Sequence, residues 1–234
     1  MTIAVINPNA SVAMTELIER ECRGLEGLSQ PLSIHRCEQS PPSIEGYSDG
    51  AQAAYWVAET VRQLEALAEP PSAYVLACFD DTGLDAAREL TRAPVLGIGE
   101  AAMQAANLVG NRFTVLTSLE RSIPILSRNL RHYGYGERCA GVYASNVSVL
   151  ALEADPASYD QVLERAWFAL EQSRGETLVL GCAGMSGWVA RLQKDVGVPV
   201  IDGVRVAVAV ADALTRLGLQ TSKALGYAFP ETKS

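Results

Sequence analysis

Histidine is scarce in this 234-residue chain, where His35 and His132 are the only two. Two isolated imidazoles build no metal cluster. They also argue against a serine hydrolase: Gly184-Met185-Ser186-Gly187-Trp188 narrowly misses the Gly-x-Ser-x-Gly elbow, and both histidines precede Ser186, whereas that hydrolase order needs one after it. Cysteine is few and odd in number (Cys22, Cys37, Cys78, Cys139, Cys182), with no Cys-x-x-Cys. That pattern suggests neither a disulfide framework nor a zinc site and fits a reducing cytoplasm. Positive charge is in deficit, with a net charge of −8, and no basic stripe interleaves with aromatics. Nucleic acid and anionic membrane are therefore not expected as partners. No apolar run reaches the length of a membrane span, and Met1 to Pro8 reads as an opening strand rather than a signal peptide. A phosphate-binding Gly-x-x-x-x-Gly-Lys is missing too. No cofactor and no metal are expected.

What is present is ordinary globular material, 48% hydrophobic and 20% charged, enough for a sizeable core. Short β-branched runs alternate with amphipathic stretches, the signature of βαβ units. Strands are expected at 2–6, 32–36, 73–77, 95–98, 113–117, 140–143, 177–181 and 198–201. One helix is expected after an Asp49 cap, with Ala54, Val57, Ala58, Val61, Leu64 and Ala68 on one face until Pro70-Pro71 end it. Another is expected from Asp155-Pro156. Residues 37–50, rich in breakers, read as a surface loop that can act as a lid over a pocket. The expected fold is α/β, two pseudosymmetric lobes with a parallel sheet each, flanked by helices, and a cleft between them. The halves are 1–110 and 111–234, with closing helices able to cross.

That two-fold reading rests on an internal repeat. Val75-Leu76-Ala77-Cys78 and Val179-Leu180-Gly181-Cys182 are near-identical strands, each ending in Cys. Pro94 to Gly97 recurs as Pro199 to Asp202, and Ala4 to Asn7 more loosely as Thr114 to Thr117. Each Cys stands at the carboxyl end of a strand, where open α/β sheets bind ligands. A following helix N-terminus would lower the thiol pKa. Cysteine is also a common packing residue, and Cys22, Cys37 and Cys139 are read that way. Two strand-end thiols at equivalent places of a repeat point instead to one cleft approached from both sides. A thiolate and a thiol flanking one carbon can invert it by proton transfer.

The rival reading is dinucleotide binding, from Gly97-Ile98-Gly99-Glu100-Ala101-Ala102 with Glu120 as the ribose acid, which would make the chain an NAD-dependent oxidoreductase. The second half has Asp202-Gly203-Val204 at the corresponding place, and the motif is mid-chain.

At these residues the chain resembles the aspartate/glutamate/hydantoin racemase superfamily, and within it the hydantoin and allantoin racemases. The resemblance runs through Asn7 to Ser11, Ser43 to Tyr47, Cys78 to Leu84, Thr117 to Pro124, Gly181 to Met185 and Pro199 to Val204. It implies a cofactor-independent two-base mechanism with Cys78 and Cys182 as the acid/base pair, and a homo-oligomer. Aspartate and glutamate racemases usually carry polar residues after each Cys, where this chain has Phe79 and Ala183. A neutral ring such as a 5-substituted hydantoin fits that change better. Allantoin and maleate-type isomerisation stay open as alternatives, while retention of both Cys argues against arylmalonate decarboxylases. Asn9, Thr117 and Ser118 are expected to orient substrate or to cap helices. Tyr47 is expected to close the lid, and backbone N–H groups near Phe79, Asp80, Asp81, Ala183 and Gly184 to meet carbonyl charge.

Overall fold

The computed structural model describes residues 2–155 and 157–231 and contains two four-stranded parallel sheets. The first alternates β1 (Ile3–Asn7), α1 (Val12–Arg23), β2 (Leu32–Arg36), α2 (Tyr47–Glu65), β3 (Ala73–Leu76), α3 (Leu84–Leu90) and β4 (Val95–Gly97). After α4 (Ile98–Val109) the second begins: β5 (Phe113–Thr117), α5 (Ile123–His132), β6 (Cys139–Ala144), α6 (Val149–Ala154), α7 (Ser158–Ser173), β7 (Thr177–Leu180), α8 (Val189–Val196) and β8 (Val200–Asp202). Helix α9 (Gly203–Arg216) closes the set. Strand order is β2-β1-β3-β4 in one sheet and β6-β5-β7-β8 in the other.

The repeat read in the sequence is a repeat of register. Val5 pairs with Val75 and Val115 with Val179. Leu76 pairs with Gly97 and Leu180 with Asp202. The central strands β1, β3, β5 and β7 are buried along their whole length. That explains their continuous apolar runs, since parallel sheets are covered on both faces and do not alternate.

Two helices tie the sheets together. Helix α4 follows β4 yet packs against β5, β7 and β8. Helix α9 follows β8 yet packs against β1, β3 and β4, and its Asp212 accepts the backbone N–H and hydroxyl of Ser29 at 2.9 and 2.5 Å. Alanine and valine dominate the seam: Ala101, Ala102 and Ala106 on α4 with Val204, Ala207, Val208 and Ala211 on α9 share one buried cluster. Small and β-branched side chains allow such close helix approach.

All eight expected strands are present, two with the expected bounds and the others with an end moved by one or two residues. The expectations for helix boundaries need correction. Asp49 does not cap α2, which starts at Tyr47 behind Gly46; its carboxylate reaches back to the Glu45 N–H at 3.1 Å. The same helix stops at Glu65, short of the prolines. The helix expected from Asp155-Pro156 starts at Ser158; Pro156 itself lies outside the described residues. A short helix before it, α6, was not foreseen, although Ser148 caps it by accepting the Ala151 N–H at 3.3 Å. Among the described residues no helix is long and apolar enough to cross a membrane.

Candidate active site

Both repeated cysteines lie two residues beyond a central strand. Before each, one further ladder bond extends the sheet: Ala77 N–H to the Ile6 carbonyl and Gly181 N–H to the Leu116 carbonyl, both 2.8 Å. The equivalence of β3 and β7 therefore delivers Cys78 and Cys182 to equivalent places, and one cavity is lined by both. Its other walls include Asn9, Met14, Ile44, Phe79, Asp80, Thr117, Ser118, Val149 and Ala183. Its enclosed space is small, about 30 Å³, which is enough to hold a water.

Burial sets the electrostatics of Cys78. It pushes the thiol well above its ordinary pKa, and the Asp80 carboxylate and a charge on Cys182 push the same way. The Asp80 backbone N–H and the Thr82 hydroxyl, 3.7 Å from Sγ, oppose the shift by hydrogen bonding the sulfur. This corrects the expectation of a thiol acidified by a helix N-terminus. Helix α3 begins six residues after Cys78, and a helix end loses its influence beyond about one turn. Asp80 is itself raised to about 6 by burial, with Arg128 pulling it down. Thr82 was not among the expected site residues; its position four after Cys78 in a tight turn was the available signal.

The flanking polar groups sort clearly. Asn9 Oδ1 accepts from Asn7 Nδ2 and from the Ser11 N–H, both at 2.9 Å. Ser11, not Asn9, caps α1 through the Met14 N–H. Thr117 donates its hydroxyl to the Gly181 carbonyl at 3.2 Å, so it braces the strand leading to Cys182. The expected capping by Thr117 or Ser118 is not seen; Leu119 occupies the cap position of the next turn, without a side-chain bond. The Asp81 N–H bonds the Cys78 carbonyl at 3.0 Å and so faces away from any ligand.

Two expected site residues lie elsewhere. Gly184 is buried behind the cavity wall, its α-carbon facing Leu152 and Met14. Tyr47 is exposed on a separate outer cleft of about 490 Å³, with Arg128 stacked over its ring at 6.0 Å. Helix α2 starts at Tyr47 and so carries the ring away from the thiols. Asp80 is the residue shared by that cleft and the two-cysteine cavity. Cys22 and Cys139, raised by burial to about 12 and about 11, and the buried Cys37 line neither space.

The dinucleotide motif has an internal explanation. Asp81, in the left-handed region at φ 53°, accepts the Gly99 and Glu100 N–H groups at 2.9 and 2.8 Å. A β-carbon on Gly97 would overlap the Asp81 carboxylate, and one on Gly99 the Phe79 carbonyl. These glycines make room for a side chain of the Cys78 turn, and the α4 N–H groups that would face a pyrophosphate hold that carboxylate. Glu120 is exposed, and the strand after α4 joins the other sheet, unlike a dinucleotide-binding unit.

Two quasi-equivalent parallel sheets, each flanked by helices and each placing a cysteine on one shared cavity, define a class of fold, the pseudosymmetric two-lobed α/β architecture. The chain matches the Asp/Glu/hydantoin racemase family over residues 3–211 and belongs to it; it is an isomerase. It is 42% identical to a hydantoin racemase of Rhizobium meliloti, over 100% of this chain and 97% of that one. With a hydantoin racemase of Paenarthrobacter aurescens the identity is 39%, over 100% and 99%. Among solved structures, an allantoin racemase from Klebsiella pneumoniae superposes with a TM-score of 0.95 at 40% identity, covering 100% of this chain and 95% of that one. An aspartate racemase of Picrophilus torridus, at 15% identity and a TM-score of 0.63 over 97% and 99%, shares the fold.

Proposed function

We propose that this chain interconverts the D and L forms of 5-monosubstituted hydantoins, with Cys78 and Cys182 as the two bases. The observation that carries the reading is the shared cavity: two strand-end thiols of a structural repeat line one space, and a charge on one is felt by the other. In one direction the Cys182 thiolate removes the C5 proton. The electron pair moves into the adjacent ring carbonyl, and the Cys78 thiol delivers its proton to the opposite face. The reverse direction exchanges the roles, and solvent exchange restores the starting protonation. Negative charge on the carbonyl oxygen would be met by backbone N–H groups at Phe79 and Ala183. Asn9 would orient the ring through its Nδ2 amide, since its Oδ1 is committed.

Ile44 and Val149, both cavity walls, would lie against the ring. The C5 substituent would extend past Asp80 into the outer cleft, beside Tyr47, Ile125 and Arg128. Allantoin, a hydantoin with a ureido substituent at C5, is the second reading, favoured by the likeness to the Klebsiella pneumoniae enzyme. The halves 1–110 and 111–234, a homo-oligomeric state and a cytoplasmic location complete the proposal.

Enantiopure 5-benzylhydantoin and L-allantoin in buffered D2O decide it, followed by optical rotation and by the C5–H NMR signal. Racemisation with deuterium uptake by the wild type, abolished as racemisation in Cys78→Ala and in Cys182→Ala, is expected. Undiminished racemisation in either variant would sink the two-thiol reading, and a wild type inert to both compounds would sink the substrate class.

A further inference from the structure

Resting on the two-thiol reading, one arrangement goes beyond it: each cysteine turn is fastened to the N-terminus of one of the two crossing helices. On the first side Asp81, three residues after Cys78, accepts the Gly99 and Glu100 N–H groups of α4 and the Tyr133 hydroxyl, the last at 2.7 Å. On the second side Ser186, four residues after Cys182, donates to Asp202 Oδ1 at 2.7 Å. Asp202 in turn accepts the Val204 and Arg205 N–H groups of α9 at 3.0 and 3.3 Å. All three anchoring side chains are buried, Asp81 at 6%, Ser186 at 2% and Asp202 at 5% exposure.

The two helices meet at those same ends. Gly203, the first residue of α9, lies so close to the carbonyl of Ile98, the first residue of α4, that a β-carbon would overlap it. The path from one turn to the other is therefore short: Cys78 turn, Asp81, α4 N-terminus, Ile98 against Gly203, Asp202, Ser186, Cys182 turn. Buried hydrogen bonds in a close-packed interior transmit displacement with little loss.

We infer that Asp81, Ser186, Asp202 and Gly203 are positioning residues that together set the separation of the two thiols across the substrate. Inversion needs that separation held closely, because a carbanion formed by one thiol must meet the other before its own proton returns. A displacement of about 1 Å is enough to cost about a hundredfold in such steps. A wider gap prolongs the carbanion, so the first thiol has time to exchange its abstracted proton with solvent D2O before delivering from the same side, and the starting enantiomer is recovered carrying deuterium.

The experiment uses the full-length protein and enantiopure substrate in D2O. Ser186→Ala cuts the second anchor while leaving the α9 cap, and Gly203→Ala wedges the helix ends apart. Ser186→Thr keeps a hydroxyl. Circular dichroism and thermal unfolding verify the fold, and if Gly203→Ala does not fold, Ser186→Ala decides alone. Expected are a roughly ten- to hundredfold loss in kcat with KM nearly unchanged, and a larger share of deuterium in the recovered starting enantiomer relative to the inverted product. Ser186→Thr should restore the wild-type ratio. A wild-type ratio in folded Ser186→Ala, whether its rate falls or not, would overturn the inference while leaving the two-thiol reading intact. Racemisation surviving Cys78→Ala or Cys182→Ala would overturn both.

Discussion

Glu45 accepts the backbone N–H of Val149 at 3.2 Å. The acceptor belongs to the loop before α2, the donor to the first residue of α6, so the bond ties that loop to α6. Ile44 and Val149, on either side of it, are cavity walls. A carboxylate at a helix N-terminus also meets the positive end of the helix dipole. Held by this bond, the loop before α2 is expected to act as a lid over the cavity.

Glu45→Ala should loosen that closure by about 1–2 kcal/mol. The expected outcome is a severalfold higher KM and faster amide hydrogen exchange over residues 147–152, with the thermal midpoint nearly unchanged. Exchange rates identical to wild type would show that the bond does not hold the lid.

Cys78 acidity should respond in opposite directions to its two neighbours. Asp80→Asn removes a negative charge that raises the thiol, so its pKa should fall. Near pH 8, alkylation by iodoacetamide in a Cys182→Ala background should speed up about three- to tenfold. Because Asp80 ionises at about 6, the difference in alkylation rate should vanish when it is measured below that pH. Thr82→Val removes a hydroxyl that favours the thiolate, so alkylation should slow.

Stability should carry a slope from Asp80 and Asp81. Burial raises them from 3.8 to about 6 and about 7. Between those values the folded chain binds more protons than the unfolded one, so these two groups make stability fall as pH rises from about 4 to about 7. The Asp80→Asn/Asp81→Asn variant should therefore show a flatter midpoint-versus-pH curve than wild type in thermal denaturation. An unchanged slope would mean that the anions are stabilised by their donors as well as water stabilises them.

Much of this protein is legible without coordinates. The apolar runs ending in Cys78 and Cys182 declare strands, a repeat and a pair of thiols, because a buried parallel strand needs a continuous apolar stretch and its carboxyl end opens onto the cleft. Asn9, Phe79, Asp80, Thr117, Ser118 and Ala183 were reachable as neighbours of strand ends. Tyr47 and Gly184 fall outside the wall of the two-cysteine cavity, Tyr47 on the outer cleft instead, because proximity in sequence to a cavity residue does not give direction.

What the sequence by itself determined is the set of elements, their repetition and the type of chemistry, all of which depend on local pattern. Only the tertiary structure decided that Gly97 and Gly99 shelter the Asp81 carboxylate, that Glu45 closes on Val149, and that α4 and α9 exchange sheets. Each joins residues far apart in the chain, 18 positions for Gly99 and Asp81, 104 for Glu45 and Val149 and 183 for Ser29 and Asp212 on α9. Such pairings arise when whole helices bury their apolar faces together, and no local periodicity records which faces will meet.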